Sequence, residues 1–204
     1  MEIGMSKLME FGVHKHSLVG NLRNISVAFV VMLMWTIAAT VMFTTIVGLG
    51  TAEIRNLLSV TIYQIAPPAP KPNYALIFFM SCVFAPIWEE LVFRYGPLRL
   101  ARSADLILAH ISSHKIRRLN GVEYDYNRGQ LYGSLMGTGF IFPMMLISSV
   151  VFGVMHGSVL NIMFQGVGGF IFAWVMLKGG YVPAVITHSL WNFMLAFGMP
   201  IVLR

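Results

Sequence analysis

The chain has 204 residues, of which 57% are hydrophobic and 11% charged, and its mean hydropathy is +0.74. This balance excludes an ordinary soluble domain and indicates an integral membrane protein. The net charge of +6 does not indicate nucleic acid here, because in a membrane protein the positions of lysine and arginine report orientation first. We therefore expect a lipid bilayer, and no nucleic acid, as a partner.

Five apolar segments approach or reach the length of about 20 residues that a helix needs to cross a bilayer. In chain order they cover 25–47, 74–93, 139–156, 159–177 and 181–203. Their long apolar runs lack the alternation of barrel strands. The predicted fold is all-α, a polytopic transmembrane helical bundle of about five to seven spanning helices around a membrane-embedded polar cavity.

A proline-rich stretch over 66–73 separates the first span from the second and cannot continue a helix. It predicts two units. The first is an N-terminal membrane anchor with its connector over 1–73, and the second is a membrane core over 74–204 that contains a basic loop at 94–132. The single cysteine, Cys82, excludes an intramolecular disulfide.

Basic residues are distributed unevenly over the two sides that five spans define. The segment between the second and third spans holds Arg94, Arg99, Arg102, Lys115, Arg117, Arg118 and Arg128. More precede the first span, whereas few fall on the opposite side. The positive-inside rule therefore predicts a cytoplasmic N-terminus, in the cell membrane if the organism is a prokaryote.

Polar side chains interrupt the second, third and fifth spans, where a bilayer tolerates them poorly. They are Glu89, Glu90, Arg94, His156, His188 and Asn192. An ionisable group inside a membrane is a functional hypothesis by default. Taken together, these residues predict chemistry within the bilayer.

Helical spacing gives the two glutamates different surroundings. Glu90 and Arg94 are four residues apart and can pair on one face, whereas Glu89 is turned about 100 degrees away. Glu89 is therefore the better candidate for a general base that activates water. His188 and Asn192 share a face by the same spacing, and an imidazole with an amide can donate hydrogen bonds to an oxyanion.

His156 follows Phe152 by about one helical turn. We expect this phenylalanine to limit the rotation of the imidazole, which could share the water with Glu89. The spans as drawn place Glu89 and His188 in the inner half of the bilayer and His156 toward the outer half. Convergence of these groups requires a tilted or bent helix, or different span boundaries.

Three motifs occur in order in the hydrophobic segments: E-E-x-x-x-R at 89–94, F-x-x-x-H at 152–156 and H-x-x-x-N at 188–192. Over about 74–197 the chain resembles the CPBP family of CAAX-protease and bacteriocin-processing membrane proteins, which includes the type II CAAX prenyl endopeptidases and the Abi proteins. The resemblance implies an intramembrane endopeptidase that hydrolyses a peptide bond with a glutamate-activated water. It implies a membrane-associated peptide or prenylated protein as substrate.

By motif position, the resemblance assigns the activation of water to Glu89 and His156, and the oxyanion site to His188 and Asn192. The second glutamate and the arginine of the first motif would give structural or electrostatic support. The resemblance also implies catalysis without a cofactor or metal. A glutamate with two histidines can hold zinc, but H-E-x-x-H is absent and asparagine is a poor zinc ligand, so a zinc metalloprotease is the minor alternative.

Other functions stay open at this point. A non-proteolytic membrane binding or bacteriocin-immunity protein could keep the motifs without turnover. A proton-coupled transporter could use Glu89 and His156 as a relay, although no paired inverted repeat is found. The glutamates and Arg94 could also simply mark the end of a span.

Glycines in the third and fourth spans are expected to allow close contact between helices in lipid. They are Gly153, Gly157, Gly166, Gly168 and Gly169. Asn161 and Gln165 are expected to form hydrogen bonds between helices.

Overall fold

The computed structural model describes residues 18–50, 53, 73–104, 140–157 and 159–198. Five helices run through these ranges: α1 (Leu18–Val47), α2 (Tyr74–Ala104), α3 (Ile141–Met155), α4 (Ile162–Gly179) and α5 (Tyr181–Phe193), the last continued by a π-helical turn to Gly198. The described residues contain no strand, which confirms the predicted all-α class. The proline-rich connector lies outside the described residues except for Asn73, whose side chain caps α2 by accepting a hydrogen bond from the Leu76 amide.

Three of the helices, α1, α2 and α4, are long and apolar enough to cross a membrane. This confirms the prediction of an integral membrane protein. With 15 residues, α3 is shorter. It covers about 22 Å at 1.5 Å per residue, less than the hydrocarbon thickness of about 30 Å.

The second helix extends further than the sequence predicted. It continues through Arg94 to Ala104, so the start of the predicted basic loop at residue 94 was wrong. Helix continuation is possible because the charged side chains have partners one turn away. Arg94 pairs with Glu90, and Arg99 donates a hydrogen bond to the Tyr95 hydroxyl at 2.5 Å. The remainder of that segment lies outside the described residues.

The first helix packs into the same bundle as the later ones. Its Trp35 indole donates to the Met163 carbonyl at 2.6 Å, and Phe43 contacts Phe164 with ring centroids 5.5 Å apart. One buried apolar cluster joins α1 to α4 and α5 through Met32, Ala39, Phe43, Phe164, Phe172, Trp191 and Leu195. The predicted N-terminal anchor is therefore in direct contact with the predicted membrane core.

A second buried cluster packs the other end of the bundle. It consists of Ala28, Leu98, Ala101, Ile141, Met145, Ala173, Val175, Met176 and Ala184. These residues bring the N-terminal part of α1 next to the C-terminal parts of α2 and α4. The first residues of α3 and α5 lie at the same end, so α2 and α5 run antiparallel.

Two of the predicted glycine contacts are close helix approaches. A Cβ on Gly153 would lie 2.7 Å from the Ile162 Cα, and one on Gly166 would lie 3.0 Å from the Ser149 carbonyl oxygen, so α3 and α4 need glycine at both places. Gly168 has no such neighbour, since its nearest contact would be Phe172 in its own helix at 3.9 Å. Gly157 instead takes a positive φ of 102° in the turn after α3.

Candidate active site

Glu90 and Arg94 form an ion pair within α2 that is completely buried. Arg94 Nη1 lies 3.4 Å from Glu90 Oε1, and both side chains are 0% exposed. This confirms the predicted i,i+4 pair. The guanidinium carbon also lies 3.8 Å from the centroid of the Phe152 ring, and Nε donates to the Gly169 carbonyl at 3.4 Å. These contacts compensate a charge whose burial would otherwise be costly.

Gly169 provides the space that the guanidinium occupies. A Cβ at this position would overlap Arg94 Nη2 and would lie 3.1 Å from Phe152 Cδ1. The absence of a side chain therefore lets α4 approach the arginine closely enough for its backbone carbonyl to accept a hydrogen bond. The sequence predicts only helix packing for this glycine, whereas the structure also places it in contact with the ion pair.

His188 lies between the two glutamates and connects α5 to α2. Its Nδ1 is 2.9 Å from Glu90 Oε1, and its Nε2 is 3.4 Å from Glu89 Oε2. Adjacent helical residues point about 100 degrees apart, so the two carboxylates reach opposite edges of one imidazole. The neighbouring glutamates thus have a common partner.

The carboxylates beside the two ring nitrogens of His188 limit which of these nitrogens carry a proton. A neutral imidazole donates from only one nitrogen, and an ionised carboxylate only accepts. If both glutamates are ionised, the imidazolium is the form of His188 that places an N–H next to each of them. The cluster then contains two negative and two positive charges, since Arg94 is the second cation, and is neutral as a whole.

Phe172 holds the plane of the His188 ring. The two rings are stacked with centroids 4.3 Å apart and an interplanar angle of 18°, and both residues are buried. The ring of Phe152 meets His188 edge-on at 5.9 Å. The imidazole is therefore fixed at Nδ1 and over one face.

His156 follows the last residue of α3 and is fixed by its own helix. Its Nδ1 lies 2.7 Å from the Phe152 carbonyl oxygen. A carbonyl only accepts, so Nδ1 carries the proton and Nε2 keeps the lone pair in the neutral ring. The Phe152 ring contacts this imidazole with centroids 4.4 Å apart, which confirms the predicted restraint on its rotation.

Phe152 brings the two histidines together, because its ring touches both His156 and His188. The two imidazoles therefore lie near each other, as the convergence expected of these groups requires. The short α3 ends before His156.

Asn192 lies one turn beyond His188 and binds α2 at a different level. Its Nδ2 donates to the Ser81 carbonyl at 2.9 Å. The amide nitrogen has a second hydrogen, which this bond does not use. The described contacts thus join Glu89, Glu90, Arg94 and His188 into one cluster. His156 is connected to this cluster through Phe152, and Asn192 binds the π-helical turn Phe79–Phe84 of α2.

The two glutamates differ in accessibility. The Glu89 side chain is 15% exposed, whereas that of Glu90 is 0% exposed. A π-helical turn on each side of this pair, at Phe79–Phe84 and Leu91–Tyr95, interrupts the regular α-helix, and such turns are frequent at functional sites. Of the two carboxylates, only that of Glu89 can meet solvent or substrate.

Among the described residues, no group of three or more His, Cys, Asp or Glu side chains has an arrangement that could hold a metal ion. Both ring nitrogens of His188 lie next to carboxylates, and Nδ1 of His156 lies next to the Phe152 carbonyl oxygen.

Three residues that contact the predicted site residues were not identified from the sequence: Phe172, Gly169 and Ser81. Phe172 and Gly169 carry no polar atom in their side chains, and Ser81 contributes a backbone carbonyl. No motif marks them. Their positions depend on how separate helices pack, although the glycine-rich start of α4 was a sign of a close approach.

A membrane bundle that brings two carboxylates, a guanidinium and an imidazole together between its helices has the polar interior of an intramembrane enzyme. The model of one family, described as type II CAAX prenyl endopeptidase Rce1-like, matches residues 71–194. The match covers more than half of the chain and all six predicted site residues, and the chain belongs to this family. Comparisons with curated proteins and with solved structures find no match.

Family membership confirms the resemblance to the CAAX proteases. The chain is thus a membrane-embedded protease of the CAAX type, a hydrolase of peptide bonds, in a family that acts on membrane-associated prenylated proteins.

Proposed function

We propose that this protein is an intramembrane endopeptidase that cleaves prenylated CAAX proteins with a water molecule activated by Glu89, without a metal. The observation that carries this proposal is the contrast between adjacent glutamates: Glu89 is accessible, whereas Glu90 is buried between Arg94 and His188. Only an accessible carboxylate can take a proton from water.

In the first step, a water molecule bound between Glu89 and His156 attacks the scissile carbonyl carbon. The Glu89 carboxylate takes one proton of the water. The Nε2 lone pair of His156, free because Nδ1 donates to the Phe152 carbonyl, accepts a hydrogen bond from the water's other proton. Water held by two acceptors has its own lone pair directed away from them, toward the substrate.

The tetrahedral oxyanion is stabilised by His188 and Asn192. An imidazolium that donates from Nδ1 to Glu90 presents its Nε2–H as a donor, and the second amide hydrogen of Asn192 is available beside the bond to Ser81. Donors of this kind, aimed at the developing charge in a low-dielectric site, form an oxyanion hole.

Charge is balanced through the reaction. When Glu89 takes a proton it becomes neutral, while one negative charge appears on the oxyanion, so the net charge of the cluster stays at zero. In the second step the intermediate collapses, the C–N bond breaks, and the proton on Glu89 passes to the leaving amine. No step creates an uncompensated charge in the bilayer, where such a charge is expensive.

The basic residues support a cytoplasmic position for one end of the bundle. Arg23 at the start of α1, Arg102 near the end of α2 and Lys178 near the end of α4 lie at the end packed by the second apolar cluster. We propose that this end faces the cytoplasm, as the positive-inside rule predicts.

The proposal is tested by cleavage of matched CAAX peptides, farnesylated and unprenylated, with detergent-purified protein. Wild type and Glu89→Gln are compared with and without a strong chelator. Cleavage of the farnesylated peptide that needs Glu89 and ignores the chelator is the expected result. Chelator-sensitive cleavage would overturn the metal-free mechanism, and wild-type protein that binds but never cleaves would indicate a binding or immunity protein.

A further inference from the structure

Asn161 is a buried polar residue in the turn that joins α3 to α4. Its side chain is 0% exposed. The Nδ2 atom donates to the His156 carbonyl at 2.5 Å, whereas Oδ1 is buried without a hydrogen-bond partner among the described residues. The sequence predicts a bond between helices for this asparagine, but the bond is made within the turn, to a residue five positions earlier.

The unsatisfied oxygen makes asparagine an unfavourable choice for packing. A buried acceptor without a partner loses its hydration and gains nothing in return. An apolar side chain of similar size would avoid this cost. The favourable contribution of the amide is therefore the one hydrogen bond that it donates to the His156 carbonyl.

That bond completes the restraints on His156. The backbone N–H of His156 donates to the Gly153 carbonyl at 3.1 Å, its carbonyl accepts from Asn161, and its ring Nδ1 donates to the Phe152 carbonyl at 2.7 Å. The residue has left the helical conformation, with ψ of 17°, and the next residue is a glycine with positive φ. Without Asn161, the His156 carbonyl would have no hydrogen-bond donor among the described residues.

We propose that Asn161 is a positioning residue for His156. By fixing the backbone on the C-terminal side of the histidine, it keeps the Nδ1–H donated to the Phe152 carbonyl and the Nε2 lone pair available for the reacting water. The use of that lone pair rests on the function proposed above. The restraint on the tautomer does not depend on it.

The test compares Asn161→Leu with Gln165→Leu, a matched control. Gln165 lies one turn further along the same helix, and its side chain is also buried, but no hydrogen bond joins it to His156 or to another described residue. Each variant is labelled with ¹⁵N-histidine, and His156 is assigned by the signal lost in His156→Gln. The tautomer of His156 is read from the ¹⁵N shifts of its ring nitrogens, and kcat and KM are measured on the farnesylated peptide.

Wild type and Gln165→Leu are expected to show His156 with the proton on Nδ1 alone. Asn161→Leu is expected to show a mixture of Nδ1–H and Nε2–H forms, with kcat lowered ~10- to 100-fold, as for other residues that orient a functional histidine, and KM within about twofold of wild type. A single Nδ1–H form in Asn161→Leu would overturn the inference. So would the same mixture in Gln165→Leu, since it would reflect general loosening of α4.

Asn161→Ala covers the case in which the leucine variant does not fold. Alanine removes the N–H donor without adding a larger side chain or a buried charge, so the same tautomer mixture is expected and a single form would again contradict the inference. Turnover that persists in Glu89→Gln would end the proposed mechanism but would leave the tautomer result unaffected. The two failures are therefore distinguishable.

Discussion

His188 Nδ1 and Oε1 of the fully buried Glu90 are joined by a hydrogen bond of 2.9 Å. This bond joins two motifs that are almost 100 residues apart in the chain. It also indicates a structural role for Glu90, the second glutamate of the first motif, because this carboxylate contacts both the His188 imidazole and the Arg94 guanidinium. The accessible neighbour, Glu89, is then left to meet water at the opposite edge of the same imidazole.

Gly169→Ala is expected to disrupt the ion pair. The new methyl group would overlap the Arg94 guanidinium, and such overpacking costs roughly 1–3 kcal/mol of unfolding free energy. Gly168→Ala is the matched control, because its methyl group would meet only Phe172 at 3.9 Å. Thermal unfolding in detergent should show a lowered midpoint for Gly169→Ala alone, and equal midpoints would contradict the role of Gly169.

Arg94→Ala is expected to destabilise the protein strongly. It leaves the Glu90 carboxylate buried without its cation, a change that costs about 3–5 kcal/mol when one partner of a buried pair is removed. Arg23→Ala removes a basic residue from the exposed start of α1 and should be nearly neutral. An Arg94→Ala protein that unfolds at the same temperature as Arg23→Ala would show that the buried pair does not stabilise the fold.

Asn192→Leu is expected to lower kcat by about 10²- to 10³-fold, the usual effect of losing one donor to an oxyanion. Ser81→Ala serves as the control for the anchoring contact. Asn192 binds the backbone carbonyl of Ser81, so the alanine variant keeps that bond and should retain wild-type kcat. The measurement is steady-state cleavage of a farnesylated peptide, and an unchanged kcat in Asn192→Leu would remove this residue from the oxyanion site.

The relationships within one helix were predictable from the sequence. A spacing of four residues places side chains on one face, and this gave the Glu90–Arg94 pair and the contact of Phe152 with His156. The class of fold followed from hydropathy alone, because a bilayer admits few kinds of spanning structure.

Relationships between helices were not predictable in the same way. The stacking of Phe172 on His188 and the space that Gly169 leaves for Arg94 depend on the register of α4 against its neighbours. The end of α2 was predicted too early, since a hydropathy window penalises a charged residue without knowing that its partner compensates it. Arg94 is such a residue, and the helix continues beyond it to Ala104.

The most direct test of Glu89 as the base that activates water is single-turnover cleavage of a farnesylated CAAX peptide by Glu89→Gln and Glu90→Gln, each measured together with its unfolding midpoint. Glu89→Gln is expected to lose turnover by at least about 10³-fold while it unfolds like wild type, since it removes a proton acceptor from an accessible position. Glu90→Gln should instead show a lowered midpoint, because it leaves Arg94 buried and unpaired. Wild-type turnover by Glu89→Gln would show that Glu89 does not activate the water.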